Sequence, residues 1–149
     1  MPPNTVAATL ERIDAAWREF HAALDAVPRE RLDEPLADGW TRKQMLAHIS
    51  AWHDYASERL ARLMQTGEQH SLSEDVDEFN ARVARAAAGR TAGEVLDALE
   101  GSFRRLQRQV SHLSDRQLAS HAGWPAEVIA ENTYRHYTEH DADLRPAEE

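Results

Sequence analysis

Cysteine is absent from the 149-residue chain, which excludes disulfides, thiolate metal ligands and a cysteine nucleophile, and fits a reducing compartment. Glycine and proline number only six each, too few for a collagen-like or low-complexity chain. No window approaches the roughly 18 consecutive apolar residues of a membrane span. The polar start, Met1 to Thr5, runs straight into an amphipathic pattern, not into the apolar stretch of a signal peptide. Basic residues are in deficit, with 17 Lys and Arg against 26 Asp and Glu, a formal charge of -9. A surface so electronegative opposes the phosphate neutralisation that nucleic-acid binding requires. The expectation is a cytoplasmic protein with neither nucleic acid nor membrane as a partner.

What is present is 42% hydrophobic and 29% charged residues, the balance of a globular chain. A chain of this length buries roughly 68–70% of its unfolded surface around one core, so residues 1–149 are expected to form a single domain. From Val6, large apolar residues fall at Leu10, Ile13, Trp17, Phe20, Leu24 and Val27 in alternating steps of three and four, one stripe of a helix that ends before Pro28. Thr41 with Gln44 forms a capping-box pattern opening a second helix, whose stripe Met45, Ile49, Trp52, Ala56, Leu60 and Leu63 runs to Thr66-Gly67. Ser73 with Glu74, Asp75 and Asp77 starts a third, closed by Gly89. Thr91 with Glu94 repeats the capping box before the stripe Val95, Leu99, Phe103, Leu106 and Val110. Ser114 starts a short turn of helix, and a final helix opens near Trp124-Pro125 and runs unbroken to Leu144, with Pro146 as its stop. No run has the period of a strand, so the fold class is all-α, a bundle of long helices.

Eight histidines are many for this length. His21, His70, His112 and His121 fall on outer faces or in connections, and His53, beside Trp52 but turned about 100° from it, is expected to be exposed. His136 and His140 are four apart on the stripe of Ile129 and Leu144, which faces inward. His48 lies on the inward side of the second helix with Met45, Trp52 and Tyr55. A shared divalent ion uses ring nitrogens that burial would otherwise leave unpaired. Three imidazoles suit Zn²⁺, Ni²⁺, Fe²⁺ or Cu²⁺, Zn²⁺ or Ni²⁺ foremost, and leave a coordination position open, as in a catalytic site. Asn132 and Asp143, one turn to either side of the His136/His140 pair, are candidates to accept a ring N–H. Tyr55 either lines the pocket above the metal or packs. No phosphate loop, G-x-S-x-G turn or pair of inward carboxylates competes with this reading.

The segment Trp40-Thr41-Arg42-Lys43-Gln44-Met45-Leu46-Ala47-His48-Ile49-Ser50-Ala51-Trp52 resembles the second-helix motif of the DinB/YfiT-like metalloenzymes, in which an LxHxxxW-type helix supplies one histidine. Asn132-Thr133-Tyr134-Arg135-His136-Tyr137-Thr138-Glu139-His140 is similar to the NTYxHYxxH helix of their ClbS/DfsB branch. The resemblance implies a DinB-like four-helix bundle with an additional short helix, often dimeric, in which His48, His136 and His140 bind a divalent metal near one end. Members with known activity include thiol-dependent transferases and isomerases, and a branch that hydrolyses an electrophilic genotoxin. The implied function is a metal-dependent transferase or hydrolase that activates a low-molecular-weight thiol, or water, against an electrophilic small molecule. A non-catalytic protein sequestering such a molecule on the same bundle is the alternative.

Overall fold

The computed structural model describes residues 4–145, so the expected stop at Pro146 and the first residues of the polar start lie outside the described residues. Within them the chain forms α1 (Val6–Asp25), a 3-10 turn (Arg29–Asp33), α2 (Arg42–Thr66), α3 (Val76–Ala88), α4 (Ala92–Ser111), α5 (Asp115–Asn132) and α6 (Tyr134–Leu144). The only β-pairing among the described residues is one isolated bridge, Pro35 to Thr41, and the all-α bundle holds. No described helix is long and apolar enough to cross a membrane.

The caps sit where the sequence placed them. Thr41 accepts a bond from the Gln44 backbone N–H while the Gln44 side chain accepts from the Thr41 N–H, and Thr91 with Glu94 does the same at α4. Gly67, with φ at 74°, takes the left-handed position that closes α2. Ser114 caps a short helical run, as expected, because the backbone leaves the helical region at Ser120. The third helix is capped by Asp75, two residues beyond the expected Ser73, because Asp75 reaches the Asp77 N–H.

α2 is the central element, packed against α3, α4, α5 and α6, while α1 lies on α4 and α6. This placement buries more than one stripe of α2, including His53 at 0% exposure. The core is made where the predicted stripes meet. Trp17 of α1 stacks on Phe103 of α4 with centroids 4.1 Å apart and planes within 9°, and Phe20 and Tyr137 close around them. Such aromatic pairs each add about 0.5–1.5 kcal/mol beyond their buried area.

The final helix is not continuous. At Thr133 the backbone turns to φ -127° and ψ -104°, and the side chains there bond back onto the last turn of α5. Thr133 Oγ1 donates to the Ile129 carbonyl at 2.6 Å, and Asn132 Nδ2 to the Val128 carbonyl at 2.8 Å. Upstream, Ser120 leaves the helical region, and His121, Ala122 and Gly123 follow with positive φ of 52°, 54° and 83°. α5 then reopens at Trp124-Pro125 as expected. The break at Thr133 lets α6 leave α5 at a new angle, aiming His136 and His140 at α2.

Candidate metal centre

The N-terminal half of α2 is tied down on three sides. Gln44 Nε2 donates to the Ala84 carbonyl of α3, Lys43 Nζ to the Arg90 carbonyl, and Arg42 Nε to the Asp143 carbonyl at the end of α6. These bonds fix where His48 stands relative to α3 and α6. His48, His136 and His140 each offer a ring nitrogen, and the three nitrogens lie within 4.8 Å of one another. His48 Nε2 and His136 Nε2 are 2.9 Å apart.

The partners of His48 and His140 settle the tautomers of those two rings. The Trp52 indole N–H can only donate, and it points at one atom of the Asn80 amide at 2.8 Å, so that atom is the oxygen. The same Oδ1 lies 3.1 Å from His48 Nδ1, which must therefore carry its proton and leave Nε2 as a bare lone pair. Asp143 Oδ2 lies 3.0 Å from His140 Nδ1 and leaves His140 Nε2 bare in the same way. His136 Nδ1 is buried without any hydrogen-bond partner.

Burial keeps the His48 and His136 imidazoles neutral. His48 is lowered from 6.5 to about 4, chiefly by burial and then by repulsion from His140, with the Asn80 bond and Asp38 opposing. His136 is lowered to about 2, again by burial first, then by His48, His140 and His53. With the His48 Nε2 lone pair bare, the 2.9 Å contact is a hydrogen bond from His136 Nε2–H, a proton that a divalent cation would displace on binding. Two metal–nitrogen bonds of about 2.0–2.1 Å at a tetrahedral angle would set their nitrogens about 3.3 Å apart, a few tenths of an ångström from the spacing of His48 and His136. The donor set and the tautomers of His48 and His140 fit a divalent ion.

The histidines form one wall of a cavity of about 380 Å³ whose other lining residues include Trp52, Asn80, Glu131, Asn132 and Glu139. Of the further residues singled out from the sequence, Asp143 holds a histidine ring. Asn132 lines the cavity, but its amide N–H is spent on the Val128 carbonyl and it bonds no histidine. Tyr55 stands apart, edge-on to Trp52, against Phe79 and with Arg59 over its ring. Burial raises its pKa foremost.

Two residues escaped sequence reasoning. Asn80 sits on α3, thirty-two positions from His48, and nothing in its local pattern separates it from other polar helix residues. His53 is not exposed as expected. Tyr137 lies 2.6 Å from its Nε2 and Ser102 Oγ 2.9 Å from its Nδ1, because α2 is covered on the side that a single-stripe reading leaves to solvent. Tyr137 O–H donates to Nε2, Nδ1–H donates to Ser102, and Ser102 donates to the Leu99 carbonyl at 3.0 Å. This closed chain satisfies every proton of a neutral ring.

A family model of the DinB superfamily matches residues 12–143. No curated protein matches the sequence significantly. Among solved structures, the colibactin self-resistance protein ClbS, in complex with a dsDNA, is similar with a TM-score of 0.80 at 13% identity, covering 97% of this chain and 95% of that one. A Streptococcus pneumoniae protein gives 0.79 at 14%, covering 95% and 88%. An uncharacterised protein from Escherichia coli UTI89 gives 0.81 at 15%, covering 96% and 92%. At these identities the likeness establishes a common fold. The ClbS complex overturns the exclusion of nucleic acid argued from net charge. A bundle of this fold does take double-stranded DNA, and a charge summed over the whole surface does not decide what a local patch contacts.

Proposed function

The chain belongs to the DinB superfamily, and on that premise we propose that it is a divalent-metal-dependent enzyme with His48, His136 and His140 as ligands. Its substrate would be an electrophilic small molecule, attacked by a low-molecular-weight thiol or by water. The observation that carries the reading is the meeting of three ring nitrogens within 4.8 Å on the wall of a cavity. A bound Zn²⁺ or Ni²⁺ supplies Lewis acidity that lowers the pKa of a thiol or water toward neutrality.

The chain's own residues do the rest. Asn80 and Asp143 hold the Nδ1 protons of His48 and His140 and so present both Nε2 atoms in one direction. Trp52 and the end of α5 wall the space in which a substrate sits. Asn132 keeps its carbonyl oxygen free of protein partners among the described residues, available to accept a bond from that substrate. With no cysteine in the chain, any thiol arrives on a small molecule.

The fold shared with ClbS, a self-resistance protein, favours a second reading, in which the cavity sequesters a toxic molecule without turning it over. Zn²⁺-loaded protein mixed with 1-chloro-2,4-dinitrobenzene and a thiol separates the two. Turnover that His48→Ala abolishes supports the enzyme, and stoichiometric uptake without turnover supports sequestration. Gel-shift titration with double-stranded DNA belongs beside it, since that is the ligand in the ClbS complex.

A further inference from the structure

α6 carries two of the three candidate ligands, yet it rests mainly on α1 and α5 and meets α2 over a short stretch. Polar bonds cross that stretch at three levels. In the middle, His136 Nε2–H donates to His48 Nε2 at 2.9 Å. Farther along α2, His53 Nε2 accepts from the hydroxyl of Tyr137, the residue after His136, at 2.6 Å. At the opposite end Arg42 Nε donates to the Asp143 carbonyl at 2.8 Å, and the side chain of that same Asp143 holds the His140 ring. Each ligand on α6 therefore has a close neighbour strapped to α2 by a bond in which the ligand takes no part.

The middle bond differs from the outer two. Its proton is the one that a divalent ion displaces, so it is given up as the site fills. The outer bonds have no such conflict, and both stand outside the cavity, which neither Tyr137, His53 nor Arg42 lines. His53 is 0% and Tyr137 2% exposed. The His53 ring is pinned on its other side, where Nδ1–H donates to Ser102 Oγ at 2.9 Å, and it cannot swing away from Tyr137 without leaving buried polar groups unpaired. Tyr137 is held in turn by stacking on Phe20, with centroids 5.3 Å apart.

Resting on the metal reading above, we propose that the Tyr137–His53 and Arg42–Asp143 bonds set the spacing of the three ligands, which makes Tyr137, His53 and Arg42 positioning residues of the metal centre. When an ion takes the place of the His48–His136 bond, these two remain, one on either side, and hold α6 at the distance from α2 at which all three rings reach a common point. Affinity and coordination geometry then depend on side chains that touch neither metal nor substrate.

Co²⁺ reads both quantities, because its visible absorption bands report the number and symmetry of its ligands. It is titrated into the full-length native chain and into Tyr137→Phe, Arg42→Met and Val110→Ala. Tyr137→Phe keeps the stacked ring and loses only the hydroxyl, and Arg42→Met tests the same claim outside the aromatic core. Each should weaken Co²⁺ binding about 10-fold, the low end for groups bonded directly to a ligand, and alter the bands while helicity by circular dichroism is retained. Val110→Ala is the control for lost stability alone. Val110 is fully buried on α4 beside Gln109, which bonds Met64 near the far end of α2, about 24 Å from His48 at 1.5 Å per residue. Its replacement should lower the midpoint of urea unfolding and leave affinity and bands native. Affinity within about 2-fold of native, or unchanged bands, in either Tyr137→Phe or Arg42→Met overturns this inference alone, as does an equal loss in Val110→Ala. No Co²⁺ binding by the native chain overturns the metal reading and this inference with it.

Discussion

His53 offers a sharp test of the electrostatics of this core. Its pKa is lowered from 6.5 to about 3, by burial first and the Arg105 charge second. Its two ring nitrogens are both bonded, to Tyr137 and Ser102, with the ring neutral. In the unfolded chain the same imidazole takes up a proton near pH 6.5, so the unfolded state binds more protons than the folded one below that pH. The sign follows: stability is full above pH 6.5 and is lost as the pH falls toward 3. At 1.36 kcal/mol per unit, this one ring removes about 2 kcal/mol between pH 7 and pH 5. His53→Gln keeps a donor and an acceptor of similar reach but cannot titrate. The replacement should cost about 1–3 kcal/mol at pH 7 through imperfect bonds to Tyr137 and Ser102. Its deficit relative to the native chain should shrink by about 2 kcal/mol at pH 5. Urea unfolding with EDTA present, followed by circular dichroism at both pH values, measures this directly. The contributions of His48 and His136 are common to both proteins and cancel in the difference. A deficit that is the same at pH 5 as at pH 7 would refute the argument.

Two other perturbations probe separate links. Asn80→Leu removes the oxygen that fixes the His48 tautomer and should weaken Zn²⁺ binding about 10- to 100-fold, read by competition with a chromophoric chelator; an affinity within 2-fold of native would contradict the tautomer argument. Ala122→Gly relieves a left-handed alanine that costs roughly 1–2 kcal/mol, against about 0.5–1 kcal/mol of added chain entropy, so the midpoint of urea unfolding should rise; a fall would place the strain elsewhere.

The parts of this account that were legible in the sequence are those set by short-range rules. Capping boxes at Thr41 and Thr91 and the left-handed stop at Gly67 are decided within four residues, and stripes such as Leu99, Phe103 and Leu106 by helical period alone. The inward aim of His48, His136 and His140 was readable for the same reason, each riding a stripe already pointed at the core. What was not legible depends on elements meeting. His53 is buried because α4 and α6 cover a second side of α2, and Asn80 matters because α3 crosses beside His48. The break at Thr133 looks like ordinary helix in sequence, since the bonds of Asn132 and Thr133 back onto α5 are ones that these side chains also make inside unbroken helices. Net charge misled on nucleic acid because it carries no information about where the charges lie.

Metal content tests the central claim most directly. Protein prepared without a histidine tag, equilibrated with Zn²⁺ and dialysed, should retain about one ion per chain, held by the three imidazoles. Substituting His48, His136 or His140 singly by Ala should remove most of it. Retention of the ion in all three variants, or none above background in the native chain, would contradict the assignment.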